Sequence, residues 1–382
     1  MLASFGLVVF VLRSSLFLTN LPQWLEHDAQ LTSPFTDFVH LREGVYLFEK
    51  GYDPYSGGIV RHPPLYLAIF STLLPLSTRF ASALWAILDG VGAWLLLKIW
   101  RMRSRTKDTF QECLIVSAYL LHPYILLPTL ALSTSTVDNT LFLASLFFAS
   151  RGNKSTSLLA LAFLTYSSLT SILLAPPISL LILRNPTSAL ADPSMSRLPR
   201  VTSMMKLLAE FLLYLAILHS TIRPHPNPGL WWYFFTEIFD HFRPFFLACF
   251  SMHLMVYPVP VVVKLGHDPL FATFILEGII ATFKSYPTLS DPGLFTAMYT
   301  LFPELLPQLR HPLPTVMLHM HSALLLPLFH HLWMGQGSGN ANFFYASTLV
   351  FGLANAAAVI DALRAGLRLG YGSREGYELV QL

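Results

Sequence analysis

The stretch Phe283-Lys284-Ser285-Tyr286-Pro287-Thr288-Leu289-Ser290-Asp291-Pro292 sets a lysine, an aspartate, a tyrosine, three aliphatic hydroxyls and two prolines between the apolar runs Leu270–Thr282 and Gly293–Leu306. A hydrophobic span can break in this way only where its backbone is buried in protein or faces water. Ionisable groups near membrane depth are functional candidates. Lys284 and Asp291 could hold each other, leaving Ser285, Tyr286 and Thr288 as donors to an anionic or sugar headgroup. The plain alternative is an interfacial turn with a snorkelling lysine.

A second polar interruption is Gly335-Gln336-Gly337-Ser338-Gly339-Asn340-Ala341-Asn342-Phe343-Phe344-Tyr345. Its glycines allow close backbone approach. Asn340 and Asn342 can satisfy sugar hydroxyls, and Phe343, Phe344 and Tyr345 offer stacking faces. The alternative is a hairpin loop ending in an asparagine helix cap. Glu26-His27-Asp28, with Asp37, Glu43 and Asp53 further on, could supply a general base or be solvated loop charges. His311, His319, His321, His330 and His331 are close in sequence, but no carboxylate accompanies them in their span, so no metal site is expected. Cys113 and Cys249 lie in apolar runs without CxxC spacing or a partner histidine, so no disulfide, metal ligand or catalytic thiol is expected.

These residues need a membrane frame. The 382 residues are 54% hydrophobic and 12% charged, about half the charge of an average soluble domain. The net charge of +3 sits in short loops and does not suggest nucleic-acid binding. The expected fold is all-α and polytopic, with about twelve transmembrane helices. They run over Leu2–Leu18, Ala81–Trp100, Glu112–Pro128, Thr136–Ser150, Thr156–Ser171, Ile172–Leu183, Leu207–Ile222, Pro244–Val263, Leu270–Thr282, Gly293–Leu306, Val316–Trp333 and Phe343–Leu363. No cleavage site follows the first, so it is expected to remain.

Residues 19–79 form a luminal loop with amphipathic helix around Phe35, Phe38, Val39, Val45, Tyr46 and Phe48. Leu65–Leu76 is too short to cross and is re-entrant or interfacial. The aromatic stretch Trp231–Phe242 suits an interfacial helix. Arg101, Arg103, Arg105, Lys107, Arg151, Lys154, Arg184, Arg197, Arg200, Lys206, Lys264, Arg310, Arg364 and Arg368 then all fall on the cytosolic side. Both termini become cytosolic, and the Lys284–Asp291 and Gly335–Asn342 breaks luminal. Residues 1–369 read as one multispan domain and 370–382 as a short cytosolic tail. Asn153-Lys154-Ser155 is a cytosolic sequon and should carry no glycan.

Three segments, Phe283–Thr288, Trp232–Phe242 and Asn340–Tyr345, closely resemble the PIG-U family, supported by Pro54–Gly57 and His122–Pro128. The resemblance runs over nearly the whole chain and is weakest at Arg184–Met205. It implies a noncatalytic subunit of the glycosylphosphatidylinositol (GPI) transamidase of the endoplasmic reticulum. The frame would be similar to the luminal GT-C glycosyltransferases, and the partners would be PIG-K, PIG-T, PIG-S and the GAA subunit. That enzyme joins a protein to the amine of a GPI ethanolamine phosphate, with catalysis by the cysteine-protease-like partner. The resemblance carries a GPI-lipid-binding role onto Lys284, Ser285, Tyr286, Pro287 and Thr288, and onto Asn340, Asn342, Phe343 and Tyr345. Asp291 joins them as the expected partner of Lys284. No catalytic residue and no cofactor are expected. The competing reading is a GT-C mannosyltransferase with a dolichol-linked donor, which an acidic pair in the first luminal loop would favour. A transporter built on broken helices would need matching breaks in two halves, and none is found.

Overall fold

The computed structural model describes residues 2–26, 28–72, 74, 77–104, 108–184, 190, 201–216 and 228–371. His27, Arg105, Lys107, Arg197, Arg200, positions 217–227 and the tail beyond Tyr371 lie outside the described residues. Among the described residues the regular structure is entirely helical. The chain begins with α1 (Leu2–Ser15), α2 (Leu21–Leu25), α3 (Phe38–Glu49) and α4 (Pro64–Thr72). Next come α5 (Thr78–Arg103), α6 (Thr109–Leu120), α7 (Pro123–Leu130), α8 (Ser135–Ser150), α9 (Lys154–Ser167), α10 (Ala175–Leu183) and α11 (Val201–Ala216). The last part holds α12 (Trp231–Glu237), α13 (Arg243–Val256), α14 (Pro258–Leu265), α15 (Pro269–Phe283), α16 (Ser290–Met298), α17 (Pro312–His330) and α18 (Ala341–Tyr371).

The boundaries follow local chemistry. Ser77 caps α5 by accepting from the Phe80 amide at 3.3 Å, and Asp268 caps α15 through Phe271 N at 3.1 Å. Pro123 disfavours helix at the residue before it, and α6 and α7 meet there at a 44° bend. The His122 ring accepts from Tyr124 N at 3.2 Å and caps the second half. Helix α4 has 9 residues and cannot cross a bilayer, as expected. Helix α3 falls where the amphipathic pattern placed it.

Four helical segments are long and apolar enough to span alone: Thr78–Arg103, Arg243–Leu265, Pro312–Gly335 and Ala341–Tyr371. The bent α6–α7 pair makes a fifth, and Phe5–Leu18, Leu169–Leu183 and Pro269–Phe283 are shorter apolar helices. Helices α5 and α18 bury half of their spanning windows inside the protein, against 17% for Arg243–Leu265 and 11% for Pro312–Gly335. The latter two therefore form the outer surface.

The main core gathers α5, α6, α8, α9, α10, α15, α16 and α18 around Leu96, Phe142, Phe271, Phe274, Phe295 and Phe302. Helix α15 is buried almost along its length, and Gly278 is what lets it lie so deep. A Cβ there would come within 2.6 Å of both Phe295 on α16 and Val359 on α18. Two arginines make ion pairs across the interior among the described residues. Arg13 of α1 bonds Asp89 of α5, and buried Arg103 bonds Asp268 and Glu304, each at 2.7 Å.

Candidate functional site

The polar break after α15 is a structured corner. Lys284 Nζ donates to Asp291 Oδ1 at 2.9 Å, and both side chains are 14% exposed. Asp291 Oδ2 accepts from the Thr288 amide at 2.7 Å and from its hydroxyl at 3.3 Å. Asp291 therefore closes the turn and favours the N-terminus of α16, where the helix dipole prefers an acid. The expected Lys284–Asp291 pairing is present, and the freely snorkelling lysine is not. Pro287 and Thr288 are buried within the corner. Thr288 spends its donors on Asp291, so it is a brace for the corner and does not face the cavity beside it.

Burial works against the charge on Lys284, but Asp291 first, then Asp138 and Glu277, outweigh it and raise its pKa above the ordinary lysine value. Asp291, Asp138 and Glu277 thus all act on Lys284, and Asp291 alone is bonded to it. Asp138 on α8 and Glu277 on α15 stand alone in apolar runs, so sequence reasoning passed over them; an isolated acid inside a span was the available signal.

Lys284, Ser285 and Tyr286 line a cavity of about 390 Å³. Ser33, Phe35 and Thr36 of the first loop form one wall, with Phe35 and Tyr286 in ring contact at 4.9 Å. Leu289 N donates to Gln30 O at 3.1 Å and ties that loop to the corner. Asp138 contributes from α8. Trp231, Trp232 and Phe235 of α12 and Arg243, Leu254 and Met255 of α13 complete an apolar face with one basic group.

The Asn340–Tyr345 segment lies on the other side of α12. Asn340 Oδ1 accepts from the amides of Asn342 at 3.0 Å and Phe343 at 3.3 Å. Its side chain caps α18. Asn342 Oδ1 accepts from the Tyr233 hydroxyl. The Tyr345 ring stacks on Tyr233 at 4.7 Å, and its hydroxyl donates to Leu230 O at 3.2 Å. Phe344 is fully buried beside Trp232 and Trp333, whereas Phe343 is 55% exposed over Phe329. None of Asn340, Asn342, Phe343 and Tyr345 lines the cavity. Trp232 joins the two groups, since it faces the cavity and packs on Phe344 and Tyr345.

The acids of the first loop are committed locally. Asp28 caps a turn through Gln30 N at 2.8 Å, Asp37 caps α3 through Val39 N at 2.8 Å, and Asp53 accepts from Tyr55 N at 3.0 Å. Glu26 lies 3.9 Å from Arg42 and Glu43 is exposed. Burial raises the Asp28 pKa. Of the α17 histidines, His319 bonds Asn355 at 3.0 Å and His330 packs on Phe344, so both serve the α17–α18 seam, and His321 is exposed. Among the described residues, no group of three or more His, Cys, Asp or Glu could hold a metal ion.

The segments that resemble PIG-U proteins, distant in sequence, therefore converge on α12 at one end of the bundle. The family model described as GPI transamidase subunit PIG-U matches residues 7–223 and 221–351. The chain belongs to the PIG-U family. It is 32% identical to GPI transamidase component GAB1 of Saccharomyces cerevisiae over 377 residues, covering 94% of this chain and 92% of that protein. The Schizosaccharomyces pombe homologue of GAB1 is 31% identical over 385 residues, covering 94% and 91%. GPI-anchor transamidase component PIGU of Homo sapiens is 29% identical over 408 residues, covering 95% and 93%. Membership in the PIG-U family fits a surface in which Asp28, Asp37 and Asp53 serve as caps, and both candidate segments present hydroxyls, amides and aromatic rings.

Proposed function

We propose that this chain is the subunit of the GPI transamidase complex that holds the GPI lipid in place for transfer, without itself doing the chemistry. The observation that carries the lipid role is the cavity beside Lys284–Tyr286. It pairs apolar walls from α12 and α13 with hydroxyls, two basic groups, Lys284 and Arg243, and one acid, Asp138, at one end of a helical bundle. Such a lining suits a molecule with acyl chains and a charged polar head. Ser285 and Tyr286 would meet the head, Lys284 and Asp291 would fix the corner, and Pro287 and Thr288 would hold its shape. Asn340, Asn342, Phe343 and Tyr345 would act from the far side of Trp232, where Phe343 and the rim of the Tyr345 ring could meet a glycan. The proprotein's hydrophobic C-terminal signal is a second lipophilic substrate for the same end. Holding two such substrates together contributes proximity, which can be worth several kcal/mol.

The proposed frame has about twelve spans in a GT-C-like arrangement, forming one domain over residues 1–369, with residues 19–79 luminal. It resides in the endoplasmic reticulum membrane with both termini in the cytosol. PIG-K, PIG-T, PIG-S and the GAA subunit are its proposed partners, the cysteine-protease-like PIG-K supplying the nucleophile that acyl transfer to an amine needs.

The mannosyltransferase reading would need a free acid in the first loop. Asp28, Asp37 and Asp53 are used as caps and Glu26 lies 3.9 Å from Arg42, which leaves Glu43, exposed on α3, as the acid without such a role among those singled out. In cells that depend on this chain, Tyr286→Ala should lower surface display of GPI-anchored proteins and leave complete GPI lipid accumulating. Glu26→Gln with Asp28→Asn should change display little. Accumulation of early mannosylated precursors, or loss of all activity in the double variant at normal expression, would turn the assignment toward a glycosyltransferase. Purifying the complex through this chain and identifying its partners by mass spectrometry tests the assembly.

A further inference from the structure

We infer that the cavity beside Lys284 binds a phosphoethanolamine-type headgroup, with its ammonium on Asp138 and its phosphate toward Arg243. This deepens the lipid-holding role and rests on it for one of the two sources of such a headgroup, the ethanolamine phosphate of GPI. The other source is phosphatidylethanolamine of the bilayer.

The first observation is a buried acceptor without a donor. Asp138 is 8% exposed, lines the cavity, and its Oδ1 has no hydrogen-bond partner although Ser167 lies within reach of the carboxylate. An unsatisfied carboxylate oxygen at such burial is costly. The nearest lysine is committed elsewhere. Asp138, Glu277 and Asp291 all act on Lys284, and Asp291 already takes the lysine's bond at 2.9 Å.

The second observation is a donor without an acceptor on the facing helix. Arg243 lines the same cavity; its Nη1 bonds Asp240 at 2.7 Å and its Nη2 bonds Phe235 O at 3.3 Å, while its buried Nε has no partner. An unmatched acceptor and an unmatched donor on two walls of one cavity complement a zwitterion. Three features separate this from a place for isolated water. The cavity is about 390 Å³, against about 30 Å³ for a water molecule. Its Leu254, Met255 and Trp231 walls suit the apolar part of a lipid. The Ser33 and Thr36 hydroxyls line the cavity 3.1 Å from each other, so one of them donates within the pair and the other can donate to a phosphate oxygen. An ammonium seated on Asp138 is protonated and cannot attack a carbonyl, so this contact is a recognition handle and the reacting amine must be free of it.

The experiment uses the purified intact complex in nanodiscs with four probes: GPI bearing ethanolamine phosphate, phosphatidylethanolamine, and the N-acetylated form of each. Wild type should bind an amine-bearing probe about tenfold more tightly than its N-acetylated form, as expected for one charge-assisted hydrogen bond. Asp138→Asn should erase that difference and Asp138→Glu should restore part of it. If GPI shows the preference, the cavity holds the substrate. If only phosphatidylethanolamine shows it, the subsite stands while the lipid-holding role for GPI fails. Equal binding of amine and N-acetyl forms by wild type overturns the proposal without any variant. A preference that persists in Asp138→Asn overturns it as well.

Discussion

The Lys284–Asp291 break and the Asn340–Tyr345 segment look alike as sequence, each a polar interruption beside aromatic residues between apolar runs. The fold uses them in opposite ways. In the first, a charged pair at 14% exposure is built into the wall of a cavity and is surrounded by further acids. In the second, the polar atoms are spent on a helix cap and a tyrosine, and the residues lie outside the cavity. The difference comes from what precedes each. Helix α15 is sunk into the core at Gly278, so the corner that follows it emerges among α8, α12 and the first loop. Helix α17 runs along the surface, so its connection to α18 is largely exposed.

The strongest way to separate the two regions is to remove one partner of the charged pair. Lys284→Met leaves Asp291 facing Asp138 and Glu277 with no ammonium, and should cost about 3–5 kcal/mol as for other broken buried pairs. Thermal unfolding of the solubilised protein reads this directly. Lys284→Met combined with Asp291→Leu should recover part of the loss, though the Thr288 brace goes with Asp291. A single substitution without a measurable shift would show the corner to be a wet surface turn.

A smaller effect distinguishes the regions by pH. His62 is 1% exposed with neither ring nitrogen bonded, and burial lowers its pKa to about 3. Its folded pKa lies below the unfolded value of 6.5. The unfolded chain therefore binds more protons between these values, and stability is present above about pH 6.5 and lost as pH falls toward 3. The slope is at most about 1.4 kcal/mol per pH unit for one group. His62 lies in the same first loop as Ser33, Phe35 and Thr36, which form one cavity wall. Acidification from pH 7 to 5.5 should therefore raise amide exchange in residues 28–62 and 284–289 more than in 340–345. His62→Phe should remove that difference.

Legibility in the sequence followed the range of the interactions. The helical frame, the short α4 and the amphipathic α3 were readable because period and length are local properties. The Lys284–Asp291 pair was readable because its members are seven positions apart and flank one turn. Asp138 and Glu277 were not assigned, because their meaning depends on α8 and α15 being brought to the same corner by tertiary packing. Arg243 stands between the aromatic stretch Trp231–Phe242 and the span Pro244–Val263, and nothing local to it signals that it faces that corner. Asn342 and Tyr345 were read as ligand contacts, and their first partners, Tyr233 and Leu230, are more than a hundred positions away.

The smallest expected effects concern the second region and divide its two asparagines. Asn340→Ala removes the α18 cap and should cost about 1 kcal/mol, with GPI-anchored protein display following stability alone. Asn342→Ala removes the acceptor of the Tyr233 hydroxyl, a bond near the exposed rim worth about 0.5–1.5 kcal/mol. Tyr233→Phe should cost a similar amount, and the double variant should cost no more than either single one, because both delete the same bond. If the segment is only a cap and a brace, display should track the unfolding midpoint across all of these variants. If Asn342 also meets a glycan, Asn342→Ala should lower display further than Tyr233→Phe at matched stability, since Tyr233→Phe leaves the amide in place to bind. That inequality would make the second region a contact site in its own right, and its absence would leave ligand contact to the Lys284 corner.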